Sequence, residues 1–207
     1  MKIIAQTCPW MKVALTESSW GGIGKDQIEG AICQAEALGI FAREGLDYAA
    51  RWTAPSSGWK IEDAFKLFTK YDGQNSVTGD SVSAITSDID TVGSYAFHDL
   101  ERGKLCILLT NKKESMIWIN VTTEHVGSFT SIAAFGFDST TGLHQYNSDS
   151  TVWYVNENEV AIQLQGMSAV MIVGSTESQN SQSNSGMKEW MSTLWIVCAL
   201  CCVLEKV

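Results

Sequence analysis

The chain has 207 residues, 45% of them hydrophobic and 18% charged, with 14 basic against 23 acidic side chains and a formal net charge of -9. That is enough for one large or two small domains with a buried core. It disfavours a nucleic-acid partner, which needs clustered Lys and Arg, and leaves neutral or cationic ligands as the better fit. The body cysteines Cys8, Cys33 and Cys106 are widely spaced and without CxxC spacing, so they read as buried free thiols rather than a disulfide framework. His98, His125 and His144 stand far apart in no ligating pattern, so neither a zinc site nor a cofactor is expected.

In chain order, the first element is a short apolar run, Val13-Ala14-Leu15, continued by Thr16 and followed at once by Glu17. Glutamate is a poor strand residue, and nothing in the local pattern requires it there. From Asp26, the apolar positions Ile28, Ile32, Ala35 and Leu38 recur at helical spacing. Asp26 with Glu29 reads as a capping box, and Gly39 as the C-terminal cap. Tyr48 to Trp52 reads as a second strand. After the turn Pro55 to Gly58, the positions Ile61, Ala64, Phe65 and Phe68 mark a second helix. Two consecutive strand-helix units predict parallel pairing, the unit from which sheets and barrels are built.

Beyond Tyr71-Asp72-Gly73 the helical period gives way to short β-rich runs. These are 81–86, 92–98, 105–110, 116–123, 129–137, 152–155, 160–165 and 169–173, separated by polar turns, and they predict an antiparallel β-sandwich. Such an appendage either binds ligand or braces its neighbour, and with no aromatic platform in view bracing is the expectation. Asn120-Val121-Thr122 matches a glycosylation sequon, usable only on an exported protein.

Residues 175–187 form a polar linker with almost no apolar side chain, leading into a hydrophobic tail over 188–207. Its apolar run is shorter than the roughly 20 residues that span a bilayer. Three readings stand side by side: a marginal membrane helix, a lipid-anchor signal and an unrelated translated extension. Lys2-Ile3-Ile4-Ala5 is too short for the apolar core of a signal peptide.

If Val13 to Thr16 is a parallel strand, Glu17 stands at its C-terminal end, the face on which barrel active sites assemble, and Trp52 takes the matching place on the next strand. A carboxylate beside an indole plane suits sugar chemistry, the ring stacking on the pyranose face while the acid attacks or stabilises the anomeric carbon. The chain also resembles a known family in Leu15-Thr16-Glu17 with Trp20-Gly21, in Ala35-Glu36-Ala37-Leu38-Gly39-Ile40-Phe41-Ala42-Arg43-Glu44-Gly45-Leu46-Asp47, and in Trp52, Ala64-Phe65, Tyr71-Asp72-Gly73 and Gly79-Asp80. These ordered motifs, over roughly 11–112, resemble the C-terminal part of glycoside hydrolase family 44.

The resemblance implies an endo-β-1,4-glucanase or xyloglucanase fold, a (β/α)8 barrel joined to a β-sandwich, of which this chain carries the last strand-helix units (1–72) and the sandwich (73–174). It implies Glu17 as the catalytic nucleophile at the end of the seventh strand, Trp52 and Trp20 as substrate-binding residues, and Arg43-Glu44-Gly45 as a signature of the connection between the strands. It also implies a β-glucan as partner, no cofactor or metal, a monomer, and an extracellular or cell-surface location, with the tail as a candidate membrane attachment. Where the family commonly has Tyr-Asn after the Glu, this chain has Ser18-Ser19, which predicts some loss of hydrogen bonding around the nucleophile. A retaining mechanism needs two carboxyl groups roughly 5 Å apart, and the second belongs to an earlier barrel strand with no counterpart here. The expectation is therefore a truncated chain with little or no hydrolytic activity. The competing readings are a non-catalytic carbohydrate-binding or cell-surface module, and an open reading frame with no stable fold.

Overall fold

The structure, a computed structural model, describes residues 6–8, 10–19, 27–126, 128–146, 152–156, 158–176 and 196–201. The first half follows the expected order: β1 (Ala14–Ser18), α1 (Ile28–Arg43), β2 (Tyr48–Arg51) and α2 (Lys60–Thr69). β1 and β2 pair in parallel as a two-stranded sheet.

α1 starts at Ile28 with Gln27 as its cap residue and no side-chain cap bond from it. Asp26 of the expected capping box lies outside the described residues. At the other end α1 does not stop at Gly39, which is buried within the helix. The terminating glycine is Gly45, at φ +70°, where a side chain would be strained. Leu46 N donates to Phe41 O at 2.9 Å and Gly45 N to Ala42 O at 3.0 Å, the bond pair of a Schellman terminus.

Gly39 serves packing instead. A Cβ there would lie 2.7 Å from Cδ1 and Cδ2 of the Tyr95 ring, so only glycine lets the ring sit against the helix. Ala31, Ala35 and Gly39, each one turn from the next, keep that side of the helix small and bring its backbone close to the sheet.

The remaining strands are β3 (Asp80–Val82), β4 (Ile85–Thr86), β5 (Val92–Asp99), β6 (Lys104–Asn111), β7 (Ile117–Thr123), β8 (Phe129–Phe137), β9 (His144–Tyr146), β10 (Val152–Asn156), β11 (Glu159–Leu164), β12 (Ser168–Thr176) and β13 (Ile196–Cys201). They form a six-stranded sheet in the order β3-β5-β6-β12-β8-β9 and a five-stranded one in the order β10-β11-β7-β13-β4. Pairing is antiparallel except between β13 and β4.

Side chains of the six-stranded sheet divide between two cores. Val92, Ala96, Leu105, Ile107, Leu109, Val170 and Ile172 pack with Ile119, Val121, Val160, Ile162 and Leu164 of the five-stranded sheet. The alternate positions Tyr95, Phe97, Cys106, Leu108, Phe135, Phe137, Ala169 and Met171 pack with Ala31 and Ala35 of α1 and Ile61, Ala64 and Leu67 of α2. Burial on both faces explains why β6 reads Leu-Cys-Ile-Leu-Leu with no polar alternation. Filling a site such as Phe137, which is fully buried, stabilises by about 1.5–3 kcal/mol.

The helices of 1–72 thus cover the sheet that follows them, and a polar network fixes them there. Glu36 Oε1 on α1 accepts from Thr110 Oγ1 at 2.6 Å and lies 3.3 Å from Lys112 Nζ, while Gly93 N donates to Thr110 Oγ1 at 3.1 Å. Lys60 Nζ on α2 donates to Asp138 O at 2.8 Å. Asp138 Oδ1 in turn accepts from Thr140 N, Thr140 Oγ1 and Thr141 N, each at 2.7 Å.

The tail brings a further difference. Its described part, 196–201, is no helix but β13, lying antiparallel to β7 and parallel to β4. A six-residue run rich in β-branched and apolar side chains meets the backbone demands of an interior strand. The rest of the tail, and the linker from 177 onward, lie outside the described residues. Among the described residues no helix is long and apolar enough to cross a membrane.

Candidate active site

Glu17 and Trp52 meet as their strand positions predict. Both are exposed, Trp52 by 61%, and with Ser18 and Ser19 they line one shallow, open hollow of about 310 Å³ at the C-terminal ends of β1 and β2. Trp20 lies outside the described residues. Trp52 is followed by Thr53 at φ +63°, a left-handed conformation that a β-branched residue seldom adopts and that favours functional positions.

The strand pair is not evenly registered. Leu15 faces Ala49 and Ser18 faces Arg51, so β1 carries one residue more than β2 over Thr16-Glu17. A bulge of this kind re-aims the side chain it carries.

Backbone and side-chain bonds hold the pair together. Trp52 N donates to Ser18 O at 2.8 Å, and Ser18 Oγ donates to Ala50 O at 3.0 Å. At the other end Val13 N donates to Asp47 Oδ2 at 2.8 Å and Asp47 N to Val13 O at 3.1 Å. Arg51 Nη1 donates to Oε1 of Gln34, which is only 2% exposed, tying β2 to α1.

The carboxylates of Glu44, Asp47 and Asp72 are occupied elsewhere. Glu44 makes an exposed pair with Arg43 Nε at 3.3 Å, an interaction worth little. The Arg43 guanidinium also lies 5.8 Å above the centre of the Tyr95 ring, a structural use of the Arg43-Glu44-Gly45 motif. Asp47 pins the strands. Asp72 caps its own turn, accepting from Ser76 Oγ and, at 2.9 Å, from Gln74 N. The Ser76 hydroxyl first, then the Gln74 amide, hold its carboxyl below the usual carboxylate range.

Among the described residues no thiol lines the hollow. Cys106 is buried, and desolvation pushes its thiol up to about 12, far from a reactive thiolate. Burial likewise raises Cys33. Asn120 of the sequon is half-buried in the middle of β7, opposite Ala161 of β11, rather than in a loop. Among the described residues no three His, Cys, Asp or Glu side chains gather as a metal site.

The sequence missed the residues whose side chains bond β1, β2 and α1 to one another. Ser18 entered only as a departure from a family pattern, and Asp47 and Gln34 carried no local signal. The Ser18 hydroxyl is directed at the neighbouring strand, at Ala50 O.

An exposed carboxylate and an indole stand at the ends of adjacent parallel strands, and the known proteins that the chain resembles are glycoside hydrolases. No protein-family model matches the chain. It is 35% identical over 180 residues to endoglucanase A of Paenibacillus lautus, a stretch that is 84% of this chain and 25% of that relative. Among solved structures it resembles a glycoside hydrolase family 44 endoglucanase from Clostridium acetobutylium (30% identity, TM-score 0.72) and a family 44 xyloglucanase from Paenibacillus polymyxa (26%, TM-score 0.71). In both cases 84% of this chain matches 34% of the other. The chain is therefore similar to part of glycoside hydrolase family 44, and it spans about a third of the solved structures and a quarter of the curated relative that it matches.

Proposed function

We propose that this chain carries the nucleophile half of a retaining β-1,4-glucan hydrolase site of the cellulose or xyloglucan type. Residues 1–72 correspond in this reading to the last strand-helix units of a (β/α)8 barrel and 73–174 to its β-sandwich, followed by a polar linker (175–187) and the hydrophobic tail (188–207). The observation that carries it is the shared hollow of Glu17 and Trp52 at the C-terminal ends of two parallel strands, in a chain similar to family 44. The polysaccharide is met outside the cell, and the tail is a candidate membrane attachment.

Glu17 attacks the anomeric carbon, its oxygen forming a bond as the bond to the leaving oxygen breaks. Trp52 holds the sugar face by stacking. The leaving oxygen takes a proton from a second carboxylic acid, which later activates the water that releases the sugar. That second group is not among the described residues lining the hollow, so hydrolysis of ordinary glucans by this chain is expected to be negligible.

An activated substrate separates nucleophile from acid. With 2,4-dinitrophenyl 2-deoxy-2-fluoro-β-cellobioside the phenolate leaves without protonation, and the expected result is one fluorocellobiosyl group on Glu17, found by peptide mass spectrometry and absent from Glu17→Gln. Label on another residue, or none, overturns the assignment.

A second reading, a non-catalytic glucan-binding module, is favoured by the single carboxylate in the hollow. In it Trp52→Ala weakens xyloglucan binding about tenfold, the equivalent of about 1.4 kcal/mol of stacking, while Glu17→Gln binds as the parent and no label forms. Isothermal titration with xyloglucan oligosaccharides measures this.

A further inference from the structure

We propose that Ser18 is a positioning residue for Glu17, its hydroxyl holding the upper end of the β1 bulge while Asp47 holds the lower. The inference rests on the nucleophile reading above and adds what keeps that nucleophile aimed.

Between Leu15↔Ala49 and Ser18↔Arg51, three steps along β1 span two along β2, so one residue at Thr16-Glu17 has no partner of its own. The register of such a pair is easily lost, and a slip of one residue sends every side chain to the opposite face. No hairpin turn fixes it, because parallel strands are joined by a long crossover, here through α1. Among the described residues no third strand pairs with either edge to lock it. What fixes the register is side-chain bonding at both ends.

Below the bulge, the Asp47 carboxylate and amide clasp the amide and carbonyl of Val13. Above it, the Ser18 hydroxyl donates across the pair to Ala50 O at 3.0 Å, and the carbonyl of the same residue accepts from Trp52 N at 2.8 Å. Ser18, the residue after the nucleophile, is thereby bonded across the pair to both Ala50 and the backbone of Trp52. Its side chain is half-buried and its proton is committed to a backbone carbonyl rather than to a ligand. The short serine side chain reaches that carbonyl from its own backbone, where a longer side chain would overshoot.

The test is the rate of fluorocellobiosyl transfer to Glu17 in Ser18→Ala and Ser18→Thr, with thermal unfolding run in parallel. Misplacement of a reacting group by about 1 Å costs on the order of a hundredfold. In Ser18→Ala the saturating rate constant is expected to fall between about tenfold and a hundredfold, with the half-saturating concentration unchanged because Trp52 still holds the sugar. Ser18→Thr keeps the hydroxyl and restores the rate, as Asp47→Asn, which keeps an acceptor oxygen, is expected to do against Asp47→Ala. A parental rate in Ser18→Ala, or no recovery in Ser18→Thr, overturns the proposal. If the parent itself is not labelled, the nucleophile reading fails on its own account. Amide hydrogen exchange at Trp52 then decides the clamp: faster exchange in Ser18→Ala but not in Ser18→Thr supports it, and equal exchange in all three refutes it.

Discussion

Removing the Glu36 carboxylate tests how the strand pair that carries the site is fastened to the rest of the molecule. In Glu36→Ala the Thr110 hydroxyl, on a fully buried residue, loses its acceptor at 2.6 Å, and Lys112 loses its carboxylate partner at 3.3 Å while still donating to Ile89 O at 2.6 Å. A hydrogen bond to a charged group contributes about 1.5–3 kcal/mol, and an orphaned buried donor is penalised on the same scale. The Lys112 pair is partly open to solvent, with side-chain exposures of 29% and 19%, so screening limits it to roughly 0.5 kcal/mol. The sum is about 2–3.5 kcal/mol, which lowers Tm by about 4–14 °C for a chain of this size. Thermal and urea unfolding of the parent, Glu36→Ala, Thr110→Val and the double variant give both the total and the coupling between the two side chains. If Glu36→Ala costs under about 0.5 kcal/mol, or the two changes add without coupling, α1 is held by its apolar face alone and the network is incidental.

Gly39→Ala puts helix propensity and packing in opposition. Alanine favours a helix interior by about 1 kcal/mol, yet its methyl overlaps the Tyr95 ring, so Tm is expected to fall, and a rise refutes the close approach. Asp138→Asn is expected to flatten the acid dependence of stability. Burial raises the Asp138 carboxyl, but the Thr140 hydroxyl and the Thr141 and Thr140 amides outweigh it and leave the group depressed. A depressed carboxyl stabilises above its unfolded value near 4 and loses that contribution as the pH falls through its folded value. Between pH 5 and 3 the parent should therefore lose Tm faster than the variant, whose amide oxygen keeps an acceptor without titrating. Parallel curves refute the assignment. Asp63 runs the other way, since burial raises it, and Asp63→Asn should be relatively most stabilising at neutral pH.

Local sequence determined most of the elements and the meeting of Glu17 with Trp52. A β-α-β unit has one handed way to return, so two residues at equivalent ends of consecutive strands converge without further information. Glycine shows where that local reading stops. Gly39 and Gly45 look alike as helix terminators, and the choice between them was made by Tyr95, 50 residues and more further along the chain, packing on the first. In the same way Leu105 to Thr110 declares a strand but not its neighbours. Its two buried faces erase the alternation that tells inside from outside, and only the assembled layers show helices on one face and a second sheet on the other.

The short β9 and the tail strand β13 were invisible for a related reason. Three residues carry no period, and an apolar run of six is common to strand, buried helix and membrane segment until a partner strand supplies the hydrogen bonds. The bulge at Thr16-Glu17 is the plainest case. Register is a relation between two strands, so it is written in neither, and the bonds from Ser18 and Asp47 that set it become visible only once β1 lies beside β2. The sequence by itself named the carboxylate and the indole; the pairing of the strands decided where that carboxylate points.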